Sequence, residues 1–518
     1  MSASRSRNTL AKPDGNKGHR RRRAALKRLA VLLASIALAG CVVGPDYQKP
    51  SLALPATWGA TKRAAPPKPP ELAEWWRRLN DPLLNDLIQQ AVAGNLDVAT
   101  SKARIREARA SHRQAVGALF PTVTNSESAS RSTSASSSAG SGTTANQFQA
   151  GLDASWEIDL FGANRRAIEA ARYGMDAAEE ELRSTLLTLI GDVASNYVEA
   201  RGYQARIALA QRTATSQQET AALTRRKFEA GASSAVDVAN AAGQAASTEA
   251  NIPDREASYA QAVHRLSILT GRPPAALTNR LRKQAAIPRP RLPVPTGIPA
   301  GILLTRPDVR LAERQYAQYT AKVGQAEAAR YPSVGLTGSI ATSGTGVGDL
   351  GKSSSISWSF GPTVTVPIFN GGQLKAAVEV AEAQRDQYFL AYRSSVLTAL
   401  EDVENAIVSL AQERIKSGKL ASSVMQYREA ATLGRSLYQS GSQSFLNLLE
   451  AERSLYSAED SLIASQVAIT TDYIALNKAL GGGWSGTIDA SKPEVIDTNT
   501  GPHLAVSGTR SNPVANQN

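Results

Sequence analysis

The chain has 518 residues, 42% of them apolar and 20% charged, enough for a folded core. Its formal charge of +13 suggests nucleic acid, but residues 1–40 hold ten Lys or Arg against one acid, leaving +4 for the remainder. Nucleic-acid binding is excluded on that distribution, and a single cysteine with four scattered histidines excludes an internal disulfide and a paired-histidine metal motif.

The basic cluster Arg20 to Arg23, with Lys27 and Arg28, precedes the apolar run Leu29 to Leu38 and then small residues. A charged region, a short apolar run and small residues describe a secretory signal peptide over 1–40. The run is about half of the ~20 residues that a spanning helix requires. Leu38-Ala39-Gly40-Cys41 looks like a bacterial lipobox, in which the cysteine is acylated and becomes the new N-terminus. Residues 41–70 then form a lipidated N-terminal segment. Val42 follows the cysteine, and not the Asp that in such lipoproteins favours inner-membrane retention. Apart from the lipid on Cys41, no cofactor is expected.

Self-comparison reveals a tandem duplication. Asn95-Leu96-Asp97-Val98 matches Arg306-Pro307-Asp308-Val309, and Leu119-Phe120-Pro121-Thr122-Val123 matches Arg330-Tyr331-Pro332-Ser333-Val334. Leu160-Phe161-Gly162, Lys227-Phe228-Glu229-Ala230-Gly231 and Leu269-Thr270-Gly271 recur near Ile368-Phe369, Leu437 to Gly441 and Ala479-Leu480-Gly481. The repeats cover 71–287 and 302–484, joined by a Pro-rich linker at 288–301. The polar tail, 485–518, is assigned no structure.

Each repeat carries one clear strand. Phe148, Leu152, Trp156, Ile158 and Leu160 alternate with polar residues, as do Ile356, Trp358, Phe360, Val364, Val366 and Ile368. Alternation with period two places them on one face, and each run exceeds the ~9–11 residues of a tilted membrane strand. They are assigned as lipid-facing, with one face of a soluble sandwich as the alternative. Pro362 and Pro367 suggest a strand end or an irregular rung. A weaker strand precedes each, giving strands near 121–160 and 332–369. Residues 126–146 and 341–355 read as exposed hairpin loops.

Long helices follow, over 163–271 and 372–480. No proline interrupts Arg165 to Gly231 or Gly372 to Gly441, runs on the order of 100 Å long at ~1.5 Å per residue. Leu186, Ile190, Val193, Tyr197 and Ala200 step by the coiled-coil period, as do Val396, Leu400, Val403, Ile407 and Leu410. Each repeat is therefore a helical hairpin with a glycine-bearing tip. Four strands cannot close a barrel, whose smallest membrane examples have about eight. If they lie in lipid, the chain must borrow strands from neighbours.

The lipobox followed by Val43-Gly44-Pro45-Asp46-Tyr47 is joined by Trp75-Trp76 and Leu79-Asn80-Asp81-Pro82-Leu83-Leu84. Trp156 to Gly162 and Val366-Pro367-Ile368-Phe369-Asn370-Gly371-Gly372 complete the pattern. Over about 38–484 the sequence resembles the outer-membrane efflux family, the lipoprotein branch of the TolC-like channels serving resistance-nodulation-division pumps. The resemblance implies a mostly α fold with membrane β. Three copies would form a 12-stranded β-barrel, a long α-helical periplasmic barrel and a mixed α/β equatorial belt. It implies an outer-membrane exit duct for drugs or other small molecules. Its partners would be a periplasmic adaptor and, through it, an inner-membrane transporter of that type. The family closes its periplasmic end near the hairpin tips, where the matching positions are Asp237, Asn447 and Glu450. Asn447 stands where relatives can carry a carboxylate. The tips, Gly231-Ala232-Ser233 and Gly441-Ser442-Gln443, are the expected adaptor contacts. No catalysis is expected, since Gly231 to Ala235 lacks the final glycine of a nucleophile elbow. The alternatives are a duct for protein secretion, since fold does not fix cargo, and a poreless coiled-coil scaffold, against which the alternating strands argue.

Overall fold

The computed structural model describes residues 42–52, 55, 72–134, 143–290 and 300–485. The expected signal peptide, Cys41 and the tail from 486 lie outside the described residues. The described residues fall into two compact units, one of 42–48, 111–172 and 317–386, the other of 49–110, 173–316 and 387–485.

The first unit contains an antiparallel sheet with strands in chain order: β1 (Thr122–Ser134), β2 (Thr143–Ile158), β3 (Ser333–Gly344) and β4 (Ile356–Thr365). Asn125 faces Leu152, which faces Ile340, which faces Trp358. Three expectations are corrected. Most of 126–146 is not a loop, because β1 runs to Ser134 and pairs with β2 from Thr143 onwards. Backbone pairing there needs no apolar alternation, which is why a Ser/Thr/Ala run concealed it. Residues 341–344 likewise continue β3, and the connection to β4 holds two 3-10 turns, Val347–Asp349 and Ser353–Ser355. Finally, Leu160, Val366 and Ile368 lie beyond the ladders. β2 stops where Asp159 turns to accept the backbone N–H groups of Asn164 (3.2 Å) and Arg165 (2.9 Å), and β4 stops two residues before Pro367. Pro362 sits inside β4, opposite Leu336, on a strand that in one chain has a free edge; there a missing N–H is tolerated.

Helices account for most of the remainder: α1 (Pro82–Gly94), α2 (Leu96–Gly117), α3 (Ala163–Glu229), α4 (Ala235–Leu269), α5 (Pro307–Ala328), α6 (Gln373–Ser440) and α7 (Phe445–Ala479). The sequence did not announce α1, α2 or α5. The duplication holds element by element: α2 and α5 have 22 residues each, α3 and α6 have 67 and 68, α4 and α7 have 35 each.

In the second unit the period-3.5 positions form the core. Leu186, Ile190, Val193, Tyr197 and Ala200 are buried, as are Val396, Val403, Ile407 and Leu410, with Leu400 half-buried against them. Trp75 packs edge-on against Trp76 (5.9 Å) and Tyr473 (6.1 Å). The Leu79 to Pro82 motif is a helix start. Asn80 takes a left-handed φ of 53°, Asp81 accepts from the Leu83 and Leu84 N–H groups, and Pro82 fits the first turn. The Tyr197 hydroxyl donates to the other Asp81 oxygen (2.7 Å). Burial, reinforced by that bond, pushes the Tyr197 phenol well above its ordinary value. Buried Arg201 donates to Tyr197 Oη (3.1 Å), Gln204 Oε1 (2.7 Å) and the Lys283 carbonyl (2.8 Å), tying the 277–290 segment to α3. Replacing Arg201 with Met strands these acceptors and lowers stability by about 2 kcal/mol, read by urea unfolding of the helical signal. Tyr197→Phe should cost about half as much.

Candidate functional site

The sheet's register sorts its side chains by chemistry. Phe148, Leu152, Trp156, Ile158, Val334, Leu336, Ile340, Ile356, Trp358, Phe360 and Val364 share one face. That face is unpartnered in the single chain, with Trp358 77% and Phe360 70% exposed; so large an apolar patch requires a membrane or another protein. β1 is the exception, presenting Asn125, Glu127 and Arg131 beside Val123 and Ala129, with the Asn125 amide donating to Glu127 (3.1 Å).

The opposite face is hydrophilic. Thr122 bonds to Ser155 (2.8 Å), Ser339 to Ser359 (2.8 Å), and the Ser126 hydroxyl donates to Asp153 (3.0 Å). Asp153 and Glu157 are its charged groups, and no Lys or Arg of the described strand residues shares it. Sequence reading had not singled out these two acids, although the same alternation that found the apolar face places them. Just beyond the helix-side ends of the strands, Phe161 stacks on Tyr331 (4.8 Å) and Phe120 and Phe369 are exposed, while near the end of β2 the Trp156 indole donates to the Leu119 carbonyl (2.8 Å). Such a girdle suits the boundary between hydrocarbon and headgroups.

The hairpin tips belong to the second unit and mirror each other. Gly231 (φ 75°) and Gly441 (φ 80°) turn the chain, and the next residue's N–H reaches back five positions, Ala232 to the Lys227 carbonyl (2.7 Å) and Ser442 to that of Leu437 (2.9 Å). Gly231, Ala232, Gly441 and Ser442 are exposed; Ser233 and Gln443 are half-buried. Beneath them Ala241, Tyr438, Phe445 and Leu448 form a small core, with the Lys227 ammonium 4.6 Å from the Tyr438 ring centre.

The three expected constriction residues differ in surroundings. Asp237 is the third residue of α4 and closes a capping box with Ser234. Its carboxylate accepts from the Ser234 N–H (3.1 Å) and the Ser233 hydroxyl (3.1 Å). Burial pushes this carboxyl up, and the hydrogen bonds from Ser234 and Ser233 outweigh it, holding it below the usual range. Asn447 occupies the same position in α7, where no side-chain cap forms. Asn447 and Glu450 are exposed, and among the described residues Glu450 makes no ion pair. Close by, Arg435 of α6 pairs with Glu452 of α7 (2.7 Å), which also accepts from Thr220 of α3 (3.1 Å); sequence reading missed this link.

A sheet with one lipid-suited face and one hydrophilic face, repeated with long helical hairpins, defines a membrane channel protein. The chain belongs to the outer membrane efflux protein family, whose model matches residues 87–272 and 299–482, one stretch in each repeat. It is 38% identical to Nodulation protein T of Rhizobium leguminosarum bv. trifolii over 455 residues, covering 87% of this chain and 96% of that protein. It is 32% identical to the solvent efflux pump outer membrane protein SrpC of Pseudomonas putida, covering 88% and 98%. Among solved structures, the outer-membrane channel OprN aligns with a TM-score of 0.79 at 34% identity, covering 86% of this chain and 100% of that one. The fold is thus TolC-like, and the protein is an outer-membrane channel component of a tripartite efflux system.

Asp237→Ala should weaken the start of α4 by about 1 kcal/mol, seen as faster amide exchange at Ser234 to Val238. Because the folded carboxyl titrates below its unfolded value, its contribution is present above the unfolded pKa of about 3.9 and lost as pH falls through the folded one. Corrected for intrinsic rates, exchange in the native protein should rise below about pH 4, and Asp237→Asn should abolish that dependence.

Proposed function

We propose that three copies of the chain join through the free edges of β1 and β4 into a 12-stranded barrel that forms the exit duct from periplasm to exterior. The observation that carries this reading is the two-faced sheet of four strands with both edges open. In hydrocarbon each unpaired backbone group costs several kcal/mol, so the edges must find partners. The face bearing Asp153 and Glu157 then lines water, and the face bearing Trp358 and Phe360 meets lipid. Cys41 carries lipid that anchors the chain in the outer membrane. The tips at Gly231-Ala232-Ser233 and Gly441-Ser442-Gln443 dock a periplasmic adaptor, and through it an inner-membrane resistance-nodulation-division transporter. Asp237, Asn447 and Glu450 ring the periplasmic constriction, with Glu450 supplying a carboxylate not engaged by a helix cap.

The cargo is drugs or other small molecules, selected by the pump rather than the duct. Relatives of similar identity are described as exporting chemically opposite cargo, solvents in SrpC and cations in CusC of Escherichia coli. A wall of hydroxyls and carboxylates makes a wet passage without a shaped pocket. No reaction is catalysed.

Planar-bilayer recording of the mature protein tests this. Discrete conductance steps with cation preference are expected. Asp153→Asn combined with Glu157→Gln should move the cation-to-anion permeability ratio towards unity, and Glu450→Ala should enlarge the step. Absence of steps from trimeric protein, even with the adaptor added, would sink the duct reading.

A further inference from the structure

The segment 42–48 is seated by one side chain. Arg166, in the first turn of α3, is 3% exposed, yet it donates to the carbonyls of Val43 (Nε, 3.1 Å) and Gly44 (Nη2, 3.1 Å) and to Asp46 (Nη2, 2.8 Å). Its remaining nitrogen is held by Glu169 (2.7 Å), which fixes the fork. Two of the acceptors are backbone, so the guanidinium recognises the path of the strap and not only its side chains. The Val43 N–H donates to the Phe161 carbonyl (3.2 Å), three residues past the end of β2.

Sterics fix the same path independently. Gly44 has a φ of 86°, and a Cβ there would lie 2.3 Å from the Cα of Gly324 on α5. A Cβ on Gly162 would meet the Val42 side chain at 2.9 Å. The strap therefore crosses between α3 and α5 along a track that only glycines permit, and Val42 is held beside Gly162 at the level of the Phe161–Tyr331 girdle.

We propose that Arg166 is the latch that fixes where the lipid-bearing N-terminus enters the membrane. It locks the strap following Cys41 to the junction of sheet and helix, so that anchor and barrel insert at one depth. This rests on acylation of Cys41. Lysine cannot replace the latch, because a single ammonium cannot span two carbonyls and a carboxylate as a planar fork does.

The test uses the full-length protein expressed in cells. Arg166→Lys and Gly44→Ala are compared with the native chain by hydrogen exchange at the Val43 amide, by the mass of the N-terminal peptide, and by the fraction of trimer inserted in the outer membrane. Gly44→Ala keeps Arg166 and its Glu169 partner and acts on the strap alone, through the clash of a new Cβ with Gly324, which covers the case in which the Arg166 variant misfolds. Val43 exchange should accelerate at least about tenfold in both variants. The acyl mass should be unchanged and the inserted trimer reduced. An unaltered Val43 amide in either variant would overturn the latch. So would a released strap with full insertion. An unacylated Cys41 in the native protein would instead remove the reading on which the proposal rests, whatever the strap does.

Discussion

Hydrogen-bond satisfaction at the edges of a membrane sheet governs this molecule. Lipid offers no partner for a backbone N–H or carbonyl, so a sheet that enters it must have no edge. Among the described residues the chain supplies four strands, paired from β1 to β4 in order, with both edges open. An apolar face bearing Trp358 and Phe360 beside open edges is a poor product for a single chain in water. It becomes a sound one when identical copies continue the sheet. The proposed oligomerisation thus rests on strand count and face chemistry together, and neither alone would require it.

Duplication provides the pieces economically. Each repeat contributes a hairpin of strands and a hairpin of long helices, and the match of 35-residue helices α4 and α7 shows how little has been inserted since. The copies have nevertheless diverged where local physics allows. Asp237 completes a capping box in the first tip, and Asn447 leaves the second tip without a side-chain cap. The residues proposed for the constriction are therefore not equivalent across the repeat: the Asp237 carboxylate serves its own helix start, and Glu450 is exposed. Conversely Gly231 and Gly441 have stayed glycine, because a left-handed turn at a helix end penalises any side chain.

The legible parts of the fold were those with a repeating signal. The steps from Leu186 to Ala200 located the helical core, and alternation from Phe148 to Ile158 located the apolar face of the sheet. β1 was legible only in part, because its stabilisation comes from backbone pairing with β2 while nine of its 13 residues are Ser, Thr or Ala and its apolar alternation is broken by Asn125, Glu127 and Arg131. Helices α2 and α5 passed unnoticed because their apolar residues are sparse and they depend on tertiary burial at positions such as Val98, Ile105 and Val309. The strap's seat was invisible for another reason. Arg166 lies 120 residues from Asp46, and no local pattern distinguishes it from the neighbouring Arg165. Tip glycines could be read from the sequence, whereas the engagement of Asp237 by Ser233 and Ser234 needed coordinates.

The central claim is that β1 of one copy pairs with β4 of the next until the sheet closes on itself. Paired cysteine substitutions across that seam test it most directly, for example Ser126→Cys or Ser128→Cys on β1 combined with Ser359→Cys on β4, oxidised in intact membranes. The account predicts covalent dimers and trimers at some register, with a closed trimer as the end point and nothing larger. Ladders extending beyond the trimer, or no intermolecular disulfide at any register along the two edges, would contradict it.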